Sequence, residues 1–221
     1  MRIISFTDIH GNFYIFEKSR KLLESADIVI LSGDITHFGK ESDTVKCIHE
    51  LKRVFKGNIF AVTGNCDYRS AEKPLDDMGI NLAEKVVEFN GVIFAGLKGS
   101  LTTPFSTPTE FLESDYKKMV SNIEKKLEGK KNLPFVFVSH QPPFDCGCDV
   151  IHSGMKTGSR VIRSFIEKNS PAVCFSGHIH EAGGIGKIGD TMIVNPGQAH
   201  IGNAGVADFD KGHFDIYIES F

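Results

Sequence analysis

Seven side chains of metal-ligating type stand just beyond five short apolar runs: Asp8 and His10, Asp34, Asn65, His140, and His178 with His180. Imidazole, carboxylate and amide donors together suit divalent transition metals better than calcium. Seven donors exceed what one ion needs, and a carboxylate can join two ions. Each block alone has an ordinary reading. Asp8 and His10 could cap a following helix. Gly33-Asp34 and Gly64-Asn65 could be turns, and His140 before Gln-Pro-Pro a loop histidine. Gly177-His178-Ile179-His180 is stronger, because two imidazoles so close beside a strand end are uncommon outside metal sites. Five ordinary readings, each at a strand end, do not hold together, so the joint pattern points to a metal centre.

Such a cluster needs a scaffold that brings the five ends to one place. Arg2 to Phe6, Asp27 to Leu31, Asn58 to Val62, Phe135 to Val138 and Ala172 to Phe175 read as buried strands. Helical patterns lie between them: Phe13, Phe16, Leu22 and Leu23 in one, and Val45, Ile48, Leu51 and Val54 in another. Strands alternating with amphipathic helices predict a largely parallel, doubly covered sheet, whose functional groups gather beyond the carboxyl ends of the strands. Val86 to Phe89 and Val92 to Ala95, joined by Asn90-Gly91, predict a hairpin. Gly96 to Pro108 reads as an extended loop, and helices are expected near 110–127 and 159–168. The tail reads as strands at 186–188, 192–194, 205–209 and 213–218. No linker or low-complexity segment divides the chain, so residues 1–221 form one expected domain.

Composition sets outer bounds. Hydrophobic content of 41% and charged content of 24% are ordinary for a globular protein. A net charge of −3 lends no support to a nucleic-acid or membrane partner. The odd set of five cysteines (Cys47, Cys66, Cys146, Cys148, Cys174) argues against a disulfide framework and for a reducing compartment. With neither an apolar leader nor a membrane-length run in the sequence, a cytoplasmic location is expected.

Taken in order, Asp8-x-His10, Gly33-Asp34, Gly64-Asn65-x-Asp67, His140 and Gly177-His178-x-His180 resemble the signature of the calcineurin-like metallophosphoesterases. The resemblance runs from Ile3 to about Ala199. Gly96-x-x-Gly99-Ser100, Thr103-Pro104-Phe105 and His152-x-Gly154 resemble small archaeal and bacterial members related to cyclic-nucleotide phosphodiesterases. The resemblance implies an α/β/β/α sandwich and two divalent ions, drawn from manganese, iron, zinc or nickel. By the same resemblance, Asp8, His10 and His180 hold the first ion, Asn65, His140 and His178 the second, and Asp34 bridges both. It further implies a phosphoesterase, phosphodiesters favoured, that attacks a small phosphorylated substrate with a metal-bridging hydroxide. Two ions ~3.5–4 Å apart can clamp such an in-line displacement.

The chain departs from the family pattern at Cys66, where many members carry a histidine that helps protonate the leaving oxygen. A thiol, with an ordinary pKa near ~8.5, is a poorer acid for that task. Cys66 is either a small buried side chain or a substrate-facing group. His152 is either a replacement donor at the mouth or a solvated loop histidine. Asp67 is expected to orient a ligand rather than to bind metal. Cys146-Gly147-Cys148 is a lone pair with tighter spacing than a zinc knuckle, so no zinc finger is expected. The 18 phenylalanines fall mostly in core runs, with Phe105, Phe111 and Phe144 near loops as exceptions. A non-catalytic scaffold of the same fold is the alternative, disfavoured because such scaffolds often lose ligands that this chain keeps. A nuclease is a third reading, weakened by the missing basic patch.

Overall fold

The computed structural model describes residues 1–130 and 132–221. In chain order the elements are β1 (Arg2–Phe6), α1 (Tyr14–Lys18), α2 (Arg20–Glu24), β2 (Ile28–Ser32), α3 (Glu41–Val54) and β3 (Asn58–Val62). Next come α4 (Glu72–Asp77), β4 (Val86–Phe89), β5 (Val92–Leu97), β6 (Ser100–Leu101), β7 (Glu110–Phe111), α5 (Glu113–Leu127) and β8 (Phe135–Ser139). The chain closes with α6 (Arg160–Asn169), β9 (Val173–Phe175), β10 (Gly184–Ile188), β11 (Thr191–Asn195), β12 (Asn203–Asp210) and β13 (His213–Ser220).

Two sheets stack face to face. One has the order β13-β12-β1-β2-β3 and the other β10-β11-β9-β8-β5-β4. Between them lie Ile3, Ile30, Val62, Phe94, Val138 and Phe175, all buried and drawn from both sheets. Helices α1 to α4 pack on the outer face of the first sheet, with Ile48 and Leu51 of α3 against Val29 and Leu31 in one apolar cluster. Helices α5 and α6 cover the second, where Tyr116, Ile123 and Phe165 join Phe137 and Cys174. The layers are therefore α/β/β/α. The strand runs are apolar on both faces because helices cover one face and the other sheet covers the other.

Several local expectations shift. The single helical stretch after Asn12 is two short helices, broken at Ser19, whose hydroxyl donates to the Ile15 carbonyl at 2.8 Å and competes with the helical ladder. The helix expected from residue 110 begins at Glu113. Glu110–Phe111 instead pairs in parallel with Ser100–Leu101, and Asp115 caps the helix by accepting from the Leu112 N–H at 3.1 Å. The sheet is also not single. β1, β2 and β3 run parallel in one sheet, while β5, β8 and β9 run parallel in the other. All the runs that end in metal-type residues belong to these two parallel sets.

Candidate metal centre

The ligand-bearing loops meet because neighbouring parallel strands end at one edge. Asp8 and His10 follow β1, Asp34 follows β2 and Asn65 follows β3 in the first sheet; His140 follows β8, and His178 and His180 follow β9 in the second. Backbone bonds stitch the loops: Asp8 N–H donates to Gly33 O at 3.1 Å, His10 N–H to Asp34 O at 2.9 Å, and Gly177 N–H to His140 O at 3.1 Å. Asp8, His10, Asp34 and His178 all take positive φ, between 49° and 69°. That region is uncommon for any side-chain-bearing residue, and such strain persists where the surroundings over-determine it. Two glycines make the crowding possible. A Cβ on Gly64 would strike the Asp34 carboxylate, and one on Gly177 would strike Thr7 Oγ1 and Asp8 Oδ2. The glycines preceding Asn65 and His178 thus serve close approach between loops, which turn statistics do not reveal.

All seven predicted donors come together. Asp8 Oδ1 lies 3.1 Å from His180 Nε2, and His10 Nε2 lies 3.4 Å from His180 Nε2. On the other side, His140 Nε2 lies 3.0 Å from Asn65 Oδ1, and the His140 and His178 rings meet at 5.3 Å between centroids. Asp34 stands between the groups. Its Oδ1 is 3.4 Å from His140 Nε2, while its Oδ2 is 3.8 Å from His10 Nε2.

Three of these donors, Asp8, His140 and His180, have their outward-facing atoms occupied from behind. Asp8 Oδ2 accepts from the Thr7 hydroxyl at 2.8 Å and from the His178 N–H at 3.1 Å, which leaves Oδ1 for the centre. His140 Nδ1 donates to Ser32 O at 2.9 Å, so its Nε2 faces inward. The Gln198 amide sits 2.5 Å from His180 Nδ1. A metal-ligating histidine ordinarily has its second nitrogen held in this way. Sequence reasoning missed Gln198, since nothing but the fold carries the segment after β11 back to the centre.

The electrostatics fit a cation. Asp8 and Asp34 are buried, and among the described residues their ion-pair partners are all histidines. Burial alone would raise the Asp34 carboxyl, but the facing His140 outweighs it and holds it well below the usual range. Burial likewise works against a charge on His140, yet Asp34 and then Asp8 lift it to about 9. Burial, then repulsion from His140, pushes His178 down to about 4. Without ions, Asp34 and Asp8 share the proton on His140, and Asp8 is held more strongly by its hydrogen bond with His180, whose pKa burial lowers but Asp8 raises. Two buried carboxylates converging with four imidazoles and an amide oxygen make a donor set that divalent metal fits.

Asp67 does not face the centre. Its carboxylate accepts from the N–H groups of Ile35, Thr36 and Gly64 and from the Thr36 hydroxyl, at 2.7 to 3.1 Å, locking the loops after β2 and β3 to each other. Cys66 is buried, but its sulfur falls with ring nitrogens of His10 and His37 in one group within ligand distance. Burial, then Asp34, pushes its thiol up, so it stays protonated. His37, three residues past Asp34, was not foreseen. Its ring meets that of His10 edge-on at 5.4 Å. His152 has a side chain 90% exposed, and its N–H donates to Glu181, the neighbour of His180, at 3.1 Å. Cys146 and Cys148 are buried and free, packed in the core behind α5 and α6.

The calcineurin-like phosphoesterase profile matches residues 1–182. The chain belongs to the calcineurin-like phosphoesterase family. Among relatives of this phosphoesterase, the uncharacterized protein MJ1162 of Methanocaldococcus jannaschii is 35% identical over 202 residues, covering 89% of this chain and 88% of that one. Its fold is similar to TT1561 of Thermus thermophilus, with a TM-score of 0.72 at 19% identity over 98% and 97% of the two chains. It is also similar to GAP50, the anchor in the inner membrane complex of Plasmodium, with a TM-score of 0.62 at 12% identity over 100% and 88%. No helix among the described residues is long and apolar enough to cross a membrane.

Proposed function

We propose that this calcineurin-like phosphoesterase hydrolyses small phosphoric esters, phosphodiesters favoured, at a centre of two divalent ions. The observation that carries the reading is Asp34, buried between two groups of inward-facing donors with one oxygen toward each. Asp8, His10 and His180 would hold one ion and Asn65, His140 and His178 the other, with Asp34 shared. Ions so held polarise a phosphoryl group and lower the pKa of bound water. The protein's part is to orient. Thr7, Ser32 and Gln198 aim their ligands, and Asp67 keeps the loops after β2 and β3 in register. The mixed nitrogen and oxygen donors favour manganese, iron, zinc or nickel.

The scaffold reading has a foothold in the fold, since GAP50 is described as an anchor. The complete donor set counts against it here. Metal analysis with a panel of cyclic nucleotides, linear diesters and phosphomonoesters tests the reading under each metal. Two ions per chain with metal-dependent turnover is the expected result. Two ions without turnover on any ester would favour the scaffold, and no ions would remove the centre.

A further inference from the structure

The loop between β6 and β7 folds back over Asn65. At its end Glu110, the first residue of β7, accepts through Oε1 from the Thr103 hydroxyl at 2.6 Å, the Thr107 N–H at 2.8 Å and the Thr107 hydroxyl at 2.7 Å. Thr107 Oγ1 in turn lies 3.0 Å from Asn65 Nδ2. An ionised carboxylate only accepts, and a hydroxyl has one proton to give. Thr107 therefore commits its proton to Glu110 and offers Asn65 a lone pair. An amide facing a lone pair must present its NH₂ group, which turns Asn65 Oδ1 to the opposite side, 3.0 Å from His140 Nε2. Burial pushes the Glu110 carboxyl up, but hydrogen bonds from Thr103 and Thr107 outweigh that and keep it below the ordinary glutamate range.

We propose that Glu110, acting through Thr107, selects which end of the Asn65 amide faces the metal centre, so that both are positioning residues for the second ion. The inference rests on the reading of Asn65 as a ligand. Its physical content is that the two amide orientations have nearly the same shape and opposite polarity. One offers an oxygen to a cation and the other offers two N–H dipoles that repel it. Packing cannot tell them apart; a hydrogen-bond relay of fixed direction can. The loop has other ties to this segment, since the Thr109 N–H donates to Asn65 O at 3.1 Å and the Thr109 hydroxyl to Asp67 O at 2.6 Å. Loss of the Thr107 hydroxyl therefore leaves the loop attached.

The test titrates Mn²⁺ into metal-free protein by calorimetry, with metal analysis of the loaded samples. Wild type should bind two ions. Thr107→Val should weaken one of them by about tenfold, the scale of losing an outer hydrogen-bond partner, and leave the other within twofold. Thr107→Ser keeps the hydroxyl and should restore wild-type affinity. Glu110→Ala should weaken the same ion, and adding it to Thr107→Val should weaken that ion no further, because the two act in one relay. Thr103→Val removes one bond that holds Glu110 but leaves the Thr107 link to Asn65, and should cost clearly less affinity than Thr107→Val. Two wild-type affinities in Thr107→Val would sink the relay alone. Equal losses in Thr103→Val and Thr107→Val would overturn it in favour of general loop ordering. A wild type that binds no ion would remove the metal centre and the relay with it.

Discussion

The two halves of the centre differ in what surrounds them. The half around His140 and Asn65 is a floor, with side chains 0% and 4% exposed. The half around His10 and His180 is a rim, with side chains 20% and 39% exposed, and His37 beside it. Asp34 belongs to both. The contrast teaches that one constellation can serve two tasks. An ion held at the floor, where the ligands are shielded, would exchange slowly and stabilise the fold, whereas one held at the rim would be reachable by solvent and by substrate.

Asp34→Asn is the change that should collapse the distinction. Losing the shared charge weakens both positions, and activity should fall about 10³-fold or more, the scale of several kcal/mol of lost stabilisation at phosphorus. Metal content and kcat/KM measured together check this; two ions retained with an unchanged rate would refute the ligand set.

His140→Ala and His180→Ala should separate floor from rim. In metal-free protein at neutral pH, His140→Ala takes from buried Asp34 its main counter-charge and from buried Asp8 its second, so stability should drop by about 3 kcal/mol or more. His180→Ala at the exposed rim should cost less than half of that. Each should lose one ion, and denaturant unfolding beside metal analysis measures both effects. Equal stability losses would show that the division by burial has no energetic meaning.

Cys66 sharpens the comparison on the chemical side. Its thiol stays protonated and lies close to the rim. Esters with activated leaving groups, which need a proton least, should therefore be preferred over alkyl monoesters. Cys66→His should raise kcat/KM on alkyl esters, by up to about 10²-fold for a well-placed acid, and barely change it on nitrophenyl esters. His152→Ala should lower the alkyl-ester rate only if that exposed imidazole reaches the leaving group. Parallel kinetics on matched mono- and diesters decide it, and an equal rise on both leaving groups would rule out proton donation.

The smallest effect is a pH profile of the metal-free protein. His140 has a folded pKa of about 9 against an ordinary 6.5, so its contribution is complete below 6.5 and is lost as pH rises toward 9. His178, depressed to about 4, works the other way, and stability rises between pH 4 and 6.5 as the unfolded chain gives up the proton that the folded ring does not hold. Thermal melts without metal should therefore decline as pH rises from 6.5 toward 9. Metal should remove the alkaline decline, because an ion takes the place of the His140 proton. A metal-free profile that climbs steadily from pH 6.5 to 9 would contradict the shared-proton picture.

Much of this centre could be read from the order of residues. Asp8, Asp34, Asn65, His140 and His178 each stand beyond an apolar run, and parallel neighbours must end at one edge, so strand periodicity groups them within each parallel set. The hairpin at Asn90-Gly91 was equally legible, because its turn chemistry is local. Periodicity could not say whether one sheet or two carried the ligands. A strand buried by a helix and a strand buried by another sheet show the same apolar face, and only packing distinguishes them. Gln198, His37 and Thr107 were invisible for a related reason. They reach the centre through loops whose course depends on distant contacts, such as Thr109 against Asn65 and Asp67. Residue types in sequence order determined the kind of chemistry, because donor identity is a property of the side chain. Which atom of Asp8, His140, His180 and Asn65 faces inward was decided only in the tertiary structure, where Thr7, Ser32, Gln198 and Thr107 occupy the other one.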